Sequence, residues 1–238
     1  FPGNPGTYTM RVRAKDAAGN VDPTPATFTW TILQDTSVPV IVPSVVGPQG
    51  DNGWYLGDVS LSWSVSDPQT PLRDVVGCEP FTLNVEGSNG QYCEAKSWAG
   101  RAQAVMSLRR DTVAPTISAA PTAAPNGSAG WYTIPVTVAY SCMDATSGLA
   151  TGCPPDQMLN QEGPAISSTA KTARDFAGNS TTSNVVTVKI DRTFPTIVPR
   201  YTSQPNNNGW YNHDVVIEFD CADAVSGIRP GHCPISVH

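Results

Sequence analysis

A pattern that recurs three times constrains the fold of this chain more than any single residue does. Each copy opens with Asp-x-x-x-Pro-x-Ile and continues to a Gly-Trp-Tyr triplet, and the last two copies add Cys-x-Asp, Ser-Gly and a second Cys. The openings begin at Asp35, Asp111 and Asp191, so successive copies start at nearly equal intervals. Self-similarity at a nearly fixed period indicates an array of repeated structural units.

Two further markers recur with nearly the same period. The Trp-Tyr pairs begin at Trp54, Trp131 and Trp210, and a later marker reads Asp16-Ala-Ala-Gly-Asn20, Ser97-Trp-Ala-Gly-Arg101 and Asp175-Phe-Ala-Gly-Asn179. The positions of the three markers along the chain predict two whole domains between two part-domains. Each whole domain is just large enough to sustain its own core. The predicted bounds are 1-34 for the C-terminal part of a domain, 35-110 and 111-190 for the whole domains, and 191-238 for the N-terminal part of another.

The two part-domains add up to almost one repeat, because Phe1 aligns near Asn160 and His238 near Met158. Three arrangements explain this alignment. The chain is part of a longer array that was cut, it is the ordered window of such an array, or the first part-domain of another chain completes its last part-domain. Strand addition through main-chain hydrogen bonds makes the third arrangement physically accessible. We therefore expect the partners to be neighbouring repeats or copies of the chain itself.

The composition and the alternation of apolar residues predict an all-β fold. Charged residues make up only 14% of the chain, and 22 Pro and 20 Gly interrupt runs rich in Thr, Val and Ser, which favours short strands and turns. Alternation of period two predicts strands with one face on a core, and seven or so such strands per repeat make a two-sheet sandwich. The alternating rows are Val59-Leu61-Trp63-Val65, Val136-Val138-Tyr140-Cys142, Val215-Ile217-Phe219-Cys221, Tyr8-Met10-Val12-Ala14, Phe28-Trp30-Ile32 and Val186-Val188-Ile190.

The six cysteines fall as one pair in each repeat. Fifteen pairings are formally possible, but one bridge inside each repeat lets every unit fold as its own module. A zinc site is the alternative use of these cysteines, but the sequence has neither a Cys-x-x-Cys motif nor a nearby set of His residues to form one. Disulfides indicate an oxidising compartment, so we expect a secreted or cell-surface protein. The predicted pairs are Cys78 with Cys93, Cys142 with Cys153, and Cys221 with Cys233.

Charge and residue distribution disfavour several classes of function. A net charge of −6 and a pI near 4.9 argue against nucleic-acid binding, which requires clustered Lys and Arg. No apolar run approaches the roughly 18 residues of a membrane span. The three His residues (His213, His232, His238) all lie in the last part-domain, and the acidic residues recur at turns rather than around one cleft, so neither a catalytic triad nor a glycosidase pair is indicated. We expect no enzyme.

The run from Tyr8 to Asn20 closely resembles bacterial Ig-like repeat domains, as do the Asp-Thr-x-x-Pro linkers at 35 and 111 and the Gly-Trp-Tyr and Ser-Gly-Ile motifs. The resemblance covers essentially the whole chain. It implies tandem immunoglobulin-like β-sandwich repeats of about 78 residues, strung into bacterial stalks and adhesins or appended to secreted enzymes. Ser97 and Arg101 depart from the pattern, and paired cysteines are uncommon in the class.

From this resemblance we expect a non-catalytic extracellular spacer, stalk or filament component. The alternative is an adhesin or a carbohydrate-binding accessory module of a secreted enzyme.

The resemblance also implies calcium, which related arrays bind at domain junctions. Calcium takes carboxylate and backbone carbonyl oxygens without an exact motif. The first candidate ligands are Asp111 and Asp191 at the linkers, and Asp16 and Asp175 at the start of the Ala-Gly-Asn marker, which we expect to form a turn. Lower-ranked candidates are Asp67, Asp144 and Asp223. The alternative interpretation is that these residues only cap turns.

Two surface features complete the candidate sites. Trp54, Trp131 and Trp210 are either a ladder of stacking platforms for glycan or residues that pack in a core or against the preceding domain. Asn126 and Asn179 begin N-glycosylation sequons, which would accept glycans in a suitable host.

Overall fold

A computed structural model of the chain describes residues 4–237, so the predicted alignments of Phe1 and His238 lie outside the described residues. Within that range the chain contains β-strands and one 3-10 turn, Ser128–Gly130, and no α-helix. No helix in the described part is long and apolar enough to cross a membrane. The chain divides into two compact units, Phe1–Asp111 and Thr112–His238. The finer division into two whole domains and two part-domains stays a prediction.

The first unit contains a hairpin and two three-stranded sheets. Its strands are β1 (Gly6–Val12), β2 (Ala26–Ile32), β3 (Val40–Val46), β4 (Val59–Ser66), β5 (Asp74–Val76), β6 (Phe81–Leu83), β7 (Gly87–Lys96) and β8 (Arg101–Arg110). Strands β1 and β2 pair with each other, and the two sheets have the orders β3-β4-β6 and β5-β7-β8, all antiparallel. We call the two sheets within residues 35–110 the first sandwich.

The core of the first sandwich follows from the alternation along β4. Val59 and Leu61 point to the same side and are 0% and 1% exposed, and they pack with Leu83 of the same sheet and Leu108 of the opposite sheet. Each such aliphatic side chain contributes roughly 1.5–3 kcal/mol on burial. The apolar row therefore joins the two sheets face to face, as the period-two pattern predicts.

The second unit contains two three-stranded sheets and two two-stranded sheets. Its strands are β9 (Thr116–Pro121), β10 (Trp131–Tyr132), β11 (Val136–Met143), β12 (Gln157–Leu159), β13 (Gly163–Ser167), β14 (Thr172–Arg174), β15 (Ser180–Thr182), β16 (Thr187–Ile190), β17 (Thr196–Tyr201) and β18 (Ile217–Ala222). The sheet orders are β12-β11-β9 and β10-β16-β13, and β14 pairs with β15 and β17 with β18. We call the sheets within residues 111–190 the second sandwich.

The second sandwich has the same kind of core as the first. Val138 and Tyr140 of β11 pack with Val188 and Ile190 of β16, and Tyr132 of the second Gly-Trp-Tyr triplet is only 5% exposed. Sheet β12-β11-β9 thus faces sheet β10-β16-β13 across the apolar residues. The fold is all-β, with sandwich packing in both units.

Three disulfides cross-link the described part of the chain, and they join the predicted partners: Cys78–Cys93, Cys142–Cys153 and Cys221–Cys233. No cysteine in the described part is free. The first bridge ties the segment after β5 to β7, whereas the other two tie the ends of β11 and β18 to the loops that follow. The disulfide of the first sandwich therefore connects different elements from those connected by the other two.

The hairpin β1–β2 differs from its prediction in burial. Its strands lie where the alternation places them, but the expected inward row is exposed: Met10 is 52%, Phe28 64% and Trp30 40% accessible. The reason is that β1 and β2 form a two-stranded sheet of their own. An apolar row becomes a core only where a second sheet covers it.

Candidate functional site

Each Ala-Gly-Asn marker that begins with Asp forms a turn held by that carboxylate. Asp175 accepts hydrogen bonds at Oδ1 from the N–H groups of Gly178 (2.7 Å) and Asn179 (2.8 Å), and at Oδ2 from the Asn179 amide (2.9 Å). Gly178 has φ +105°, which favours glycine. Asp16 is held in the same way, and the hydrogen bond from the Asn20 side chain lowers the pKa of Asp16. The marker is turn chemistry, as its residues predict.

A second Asp-led turn follows the core strand β11. Asp144 accepts hydrogen bonds at Oδ1 from the N–H groups of Thr146 (3.2 Å) and Gly148 (2.6 Å). The Phe176 N–H donates to the carbonyl of Gly148 at 2.9 Å, so this loop is fastened to the turn that begins at Asp175. Two separate turn motifs thereby bring two carboxylates to one place.

A third carboxylate completes a cluster at the start of the second sandwich. One oxygen each from Asp111, Asp144 and Asp175 lies within 4.8 Å of the others. Asp111 is 0% and Asp175 1% exposed, while Asp144 is half-buried. Three oxygens so spaced can all reach within about 2.8 Å of a common point, close to the 2.3–2.6 Å of calcium ligation. Carboxylates this close repel one another when ionised, so a cation bound among them would be stabilising.

The structure groups the predicted ligands differently from the sequence ranking. Of the four residues placed first, Asp111 and Asp175 come together, and the third member is Asp144, which the sequence placed second. Asp16 lies in its own turn. Asp191 accepts hydrogen bonds from the N–H groups of Thr193 (3.0 Å) and Ser226 (3.1 Å).

A regular spacing of acidic residues is the signal that could have found this cluster. Its three members follow one another along the chain at nearly equal intervals. Nearly the same interval separates the linker Asp from the Asp of the next turn in the other two copies, at Asp35 and Asp67 and at Asp191 and Asp223. The spacing therefore marks pairs of carboxylates that the fold can bring together.

The first sandwich has the same loops with one carboxylate fewer. Its equivalent residues are Asp35, Asp67 and Ser97. Asp35 accepts a hydrogen bond from the Thr70 hydroxyl (2.8 Å), and Asp67 accepts from the N–H groups of Gln69 (2.9 Å) and Thr70 (3.0 Å). The backbone hydrogen bonds from Thr70 and Gln69 lower the pKa of Asp67. The Oδ2 atom of Asp67 is buried and has no hydrogen-bond partner among the described residues.

The three tryptophans of the Gly-Trp-Tyr positions are not equivalent surfaces. Trp54 and Trp131 are half-buried, whereas Trp210 is 72% exposed. Trp131 lies in a groove of about 860 Å³, and Phe194, Arg229 and His232 line the same groove. Phe194 is 89% exposed, so an aromatic face is open to ligands there. A stacking role is thus geometrically accessible at Trp131 and Trp210.

Both sequon asparagines take part in local hydrogen bonds through the nitrogen that a glycan would modify. The Asn126 amide nitrogen donates to the Thr133 hydroxyl at 2.7 Å, and the Asn179 nitrogen donates to Asp175 at 2.9 Å. Attachment of a sugar would replace one donor hydrogen of that nitrogen. The Asn179 nitrogen also donates to the carbonyl of Val113 at 3.5 Å, so a glycan there would leave it one of these two hydrogen bonds.

Comparison with known proteins adds distant structural likenesses only. No family model matches the chain, and no curated protein matches it. Fibronectin(III)-like modules of Clostridium thermocellum CbhA are 13% identical with a TM-score of 0.26, over 63% of this chain and 95% of that one. A Ca2+-stabilised adhesin that helps an Antarctic bacterium reach out and bind ice is 16% identical with a TM-score of 0.25, over 78% of this chain and 57% of that one. The architecture described above rests on the chain's own sheets and cores.

Proposed function

We propose that the chain is a non-catalytic extracellular repeat segment that serves as a spacer, stalk or filament component of a bacterial surface or secreted protein. The observation that carries the proposal is the succession of small sandwiches, each with its own disulfide. Bridges of this kind persist in oxidising compartments, and closure of a short loop stabilises a small module against unfolding. A series of such modules suits a mechanical role.

Single-molecule stretching of the intact chain tests this role. We expect two principal unfolding events, one for each sandwich. Reduction should lengthen the extension released in the first sandwich by about 5 nm and in the second by about 4 nm, since Cys78–Cys93 and Cys142–Cys153 span 15 and 11 residues of chain at about 3.5 Å each. A chain that extends at low force without discrete events would contradict a load-bearing spacer.

We infer that calcium is the cofactor of the second sandwich, held by Asp111, Asp144 and Asp175. The support is the spacing of the three oxygens, within 4.8 Å, together with the burial of Asp111 and Asp175. The backbone N–H groups that fix Asp144 and Asp175 orient these carboxylates before any ion binds. A divalent cation there would offset the mutual repulsion of the carboxylates and stabilise the fold by mass action.

The calcium site has a matched test within the chain. The melting temperature in calcium is compared with that in chelator for the parent chain, for Asp175→Asn and for Asp16→Asn. Both substitutions alter an Asp-led turn of the same geometry, but only Asp175 belongs to the three-carboxylate cluster. We expect the calcium-dependent rise in the parent and in Asp16→Asn and its loss in Asp175→Asn. Equal melting temperatures with calcium and chelator in the parent would remove calcium from the proposal.

The second candidate function is glycan binding by an adhesin or accessory module, and the groove at Trp131 favours it. Trp131 and Phe194 offer aromatic faces, and Arg229 offers hydrogen-bond donors in the same groove. A glycan array probed with the parent chain, with Trp131→Ala and with Trp98→Ala tests it. Trp98 is 53% exposed and lies outside the groove, so it controls for loss of any surface tryptophan. If the parent chain binds no glycan on the array, glycan binding is ruled out and the structural role is the one proposal that remains.

A further inference from the structure

The side chain of Asn184 bonds to the main chain of strand β9 in the second sandwich. The Ala119 N–H donates to Asn184 Oδ1 at 2.8 Å, and Asn184 Nδ2 donates to the Ala119 carbonyl at 2.9 Å. Asn184 lies between β15 and β16, whereas β9 is an outer strand of the sheet β12-β11-β9. A side-chain amide carries the same types of donor and acceptor as a peptide group, so Asn184 takes the place of a neighbouring strand at this residue. We call these two hydrogen bonds the Asn184 bridge.

The Asn184 bridge covers main-chain groups on the outer edge of β9. Ala119 lies opposite Tyr140 of β11, and its N–H and carbonyl both bond to Asn184 rather than to β11. In an antiparallel strand the groups that face one edge belong to every second residue, so Ile117 and Pro121 share this edge with Ala119. Proline has no N–H to offer. The edge of β9 therefore lacks a free donor at both Ala119 and Pro121.

The other copies of this strand have proline at the position of Ala119. Ala119 follows its linker Asp by eight residues, and the residues at the same distance from the other two linkers are Pro43 and Pro199. The strand pairing agrees, because all three lie opposite an aromatic residue of the paired strand: Tyr140, Trp63 and Phe219. Proline removes the N–H donor that an incoming strand needs. Ala119 retains this N–H, and the Asn184 bridge occupies it.

Of the two whole sandwiches, only the one without this proline has the amide. Counted back from the linker, the residue of the first sandwich equivalent to Asn184 is Ala104, whose side chain has no hydrogen-bonding group. The first sandwich thus combines Pro43 with Ala104, and the second combines Ala119 with Asn184. Each combination leaves the middle of the outer strand without a free N–H. The property that the two sandwiches share is therefore the closed edge, which they reach by different chemistry.

We propose that the Asn184 bridge is an autoinhibitory contact that keeps the edge of β9 from pairing with β9 of a second copy of the chain. An unpaired strand edge is a template for strand addition, and proline or a covering group blocks such edges. The second copy is the partner because its β9 offers the same edge, which makes the contact self-complementary. Tandem repeats are prone to such misassembly. The inference goes beyond the proposed structural role and rests on neither calcium nor glycan binding.

Opening this edge in the intact chain tests the proposal. Asn184→Ala frees the N–H and carbonyl of Ala119, so we expect its mass in light scattering to exceed that of the parent chain and to rise with concentration. Hydrogen exchange with mass spectrometry should show β9 more protected in concentrated than in dilute samples of this variant. Adding Ala119→Pro to Asn184→Ala should return the mass to that of the parent chain, because proline removes the freed donor as Pro43 does in the first sandwich.

Asn126→Ala is the matched control, since it removes a similar pair of amide hydrogen bonds between residues that lie outside the strands. Asn126 Oδ1 accepts from the Thr133 N–H at 2.9 Å, and its Nδ2 donates to the Thr133 hydroxyl at 2.7 Å. This variant should keep the mass of the parent chain at every concentration. The proposal is overturned if Asn184→Ala keeps the parent mass, if Asn126→Ala associates equally, or if the double variant associates like Asn184→Ala. Loss of protection along the core strands of the second sandwich in Asn184→Ala would also overturn it, because association would then follow from unfolding.

Discussion

The first and second sandwiches have the same Asp-led loops, but they differ in the charge that those loops bring together. In the second sandwich Asp111, Asp144 and Asp175 place three carboxylates within 4.8 Å. In the first, Ser97 stands where Asp175 stands, and its hydroxyl donates to the carbonyl of Ser37 at 3.3 Å and accepts from the N–H of Ala99 at 3.2 Å. A neutral side chain therefore satisfies the position through hydrogen bonds to the backbone.

This difference separates two roles that one residue type can combine. The turn geometry requires only that a carboxylate or hydroxyl oxygen accept backbone N–H groups, and both sandwiches meet that condition. The concentration of charge requires all three carboxylates, and only the second sandwich has them. Turn formation is thus common to both sandwiches, whereas the cluster of three carboxylates is found, among the described residues, in the second sandwich alone.

The largest expected effect concerns the disulfides, whose routes also differ between the two sandwiches. Loop closure over 15 or 11 residues contributes about 3 kcal/mol in the chain-entropy model. We expect the double substitution of Cys78 and Cys93 by Ala to destabilise the first sandwich by about that amount, and the same change at Cys142 and Cys153 to destabilise the second. Hydrogen exchange with mass spectrometry measures the loss of protection peptide by peptide in the intact chain.

Each double variant is the control for the other. The cost should be larger in the first sandwich, because Cys93 is 0% exposed and lies on the central strand β7, whereas Cys153 is half-buried in a loop. Loss of protection spread evenly over both units in either variant would show that the staples do not act within their own modules.

An intermediate effect comes from supplying the missing carboxylate to the first sandwich by Ser97→Asp. Without calcium the third carboxylate should destabilise this sandwich, since Ser97 is 4% exposed and Asp35 and Asp67 are its neighbours in the site. With calcium at a hundred times its Kd, binding to the folded state returns about 2.7 kcal/mol. Thermal unfolding in calcium and in chelator measures the difference.

Ser97→Asn is the matched control, because it changes size and polarity without adding charge. In the Ser97→Asn variant, the first sandwich should unfold at the same temperature in calcium and in chelator. If Ser97→Asp and Ser97→Asn respond to calcium alike, charge is not what separates the two sandwiches.

Local patterns in the sequence predict the strands and turns because these depend on near neighbours. The period-two row from Val136 to Cys142 predicts β11 and its core face, and the Ala-Gly-Asn marker predicts a turn held by Asp175. The cysteine pairs also follow from the repeat, since each partner lies within the same unit. Such features require no knowledge of how the sheets meet.

Features that depend on how elements meet were less predictable. The same period-two row predicts burial for Phe28 and Trp30, yet both are exposed, because alternation does not reveal whether a second sheet is present. The sequence also ranks Asp144 only among the second group of candidate calcium ligands, although the structure places it with Asp111 and Asp175. Its position depends on the hydrogen bond between Phe176 and Gly148, which joins two loops that are distant in sequence.

The smallest expected effect concerns acid, and it again separates the two sandwiches. On the outer face of the first, hydrogen bonds from Tyr92, Gln103 and Lys96 lower the pKa of Glu94 from 4.5 to about 2. A carboxyl whose pKa is lowered in the folded state stabilises that state above the unfolded value, and this stability is lost as the pH falls. The first sandwich should therefore weaken between about pH 4.5 and 2.

Glu94→Gln should remove this part of the acid response. The equivalent position of the second sandwich holds Thr172, whose hydroxyl pairs with that of Thr182, so no carboxyl titrates there. Limited proteolysis with an acid protease, followed by mass spectrometry of the fragments, measures the stability of each sandwich across this range. If the first sandwich weakens equally in the parent chain and in Glu94→Gln, the hydrogen-bonded cluster around Glu94 contributes nothing to the contrast between the two.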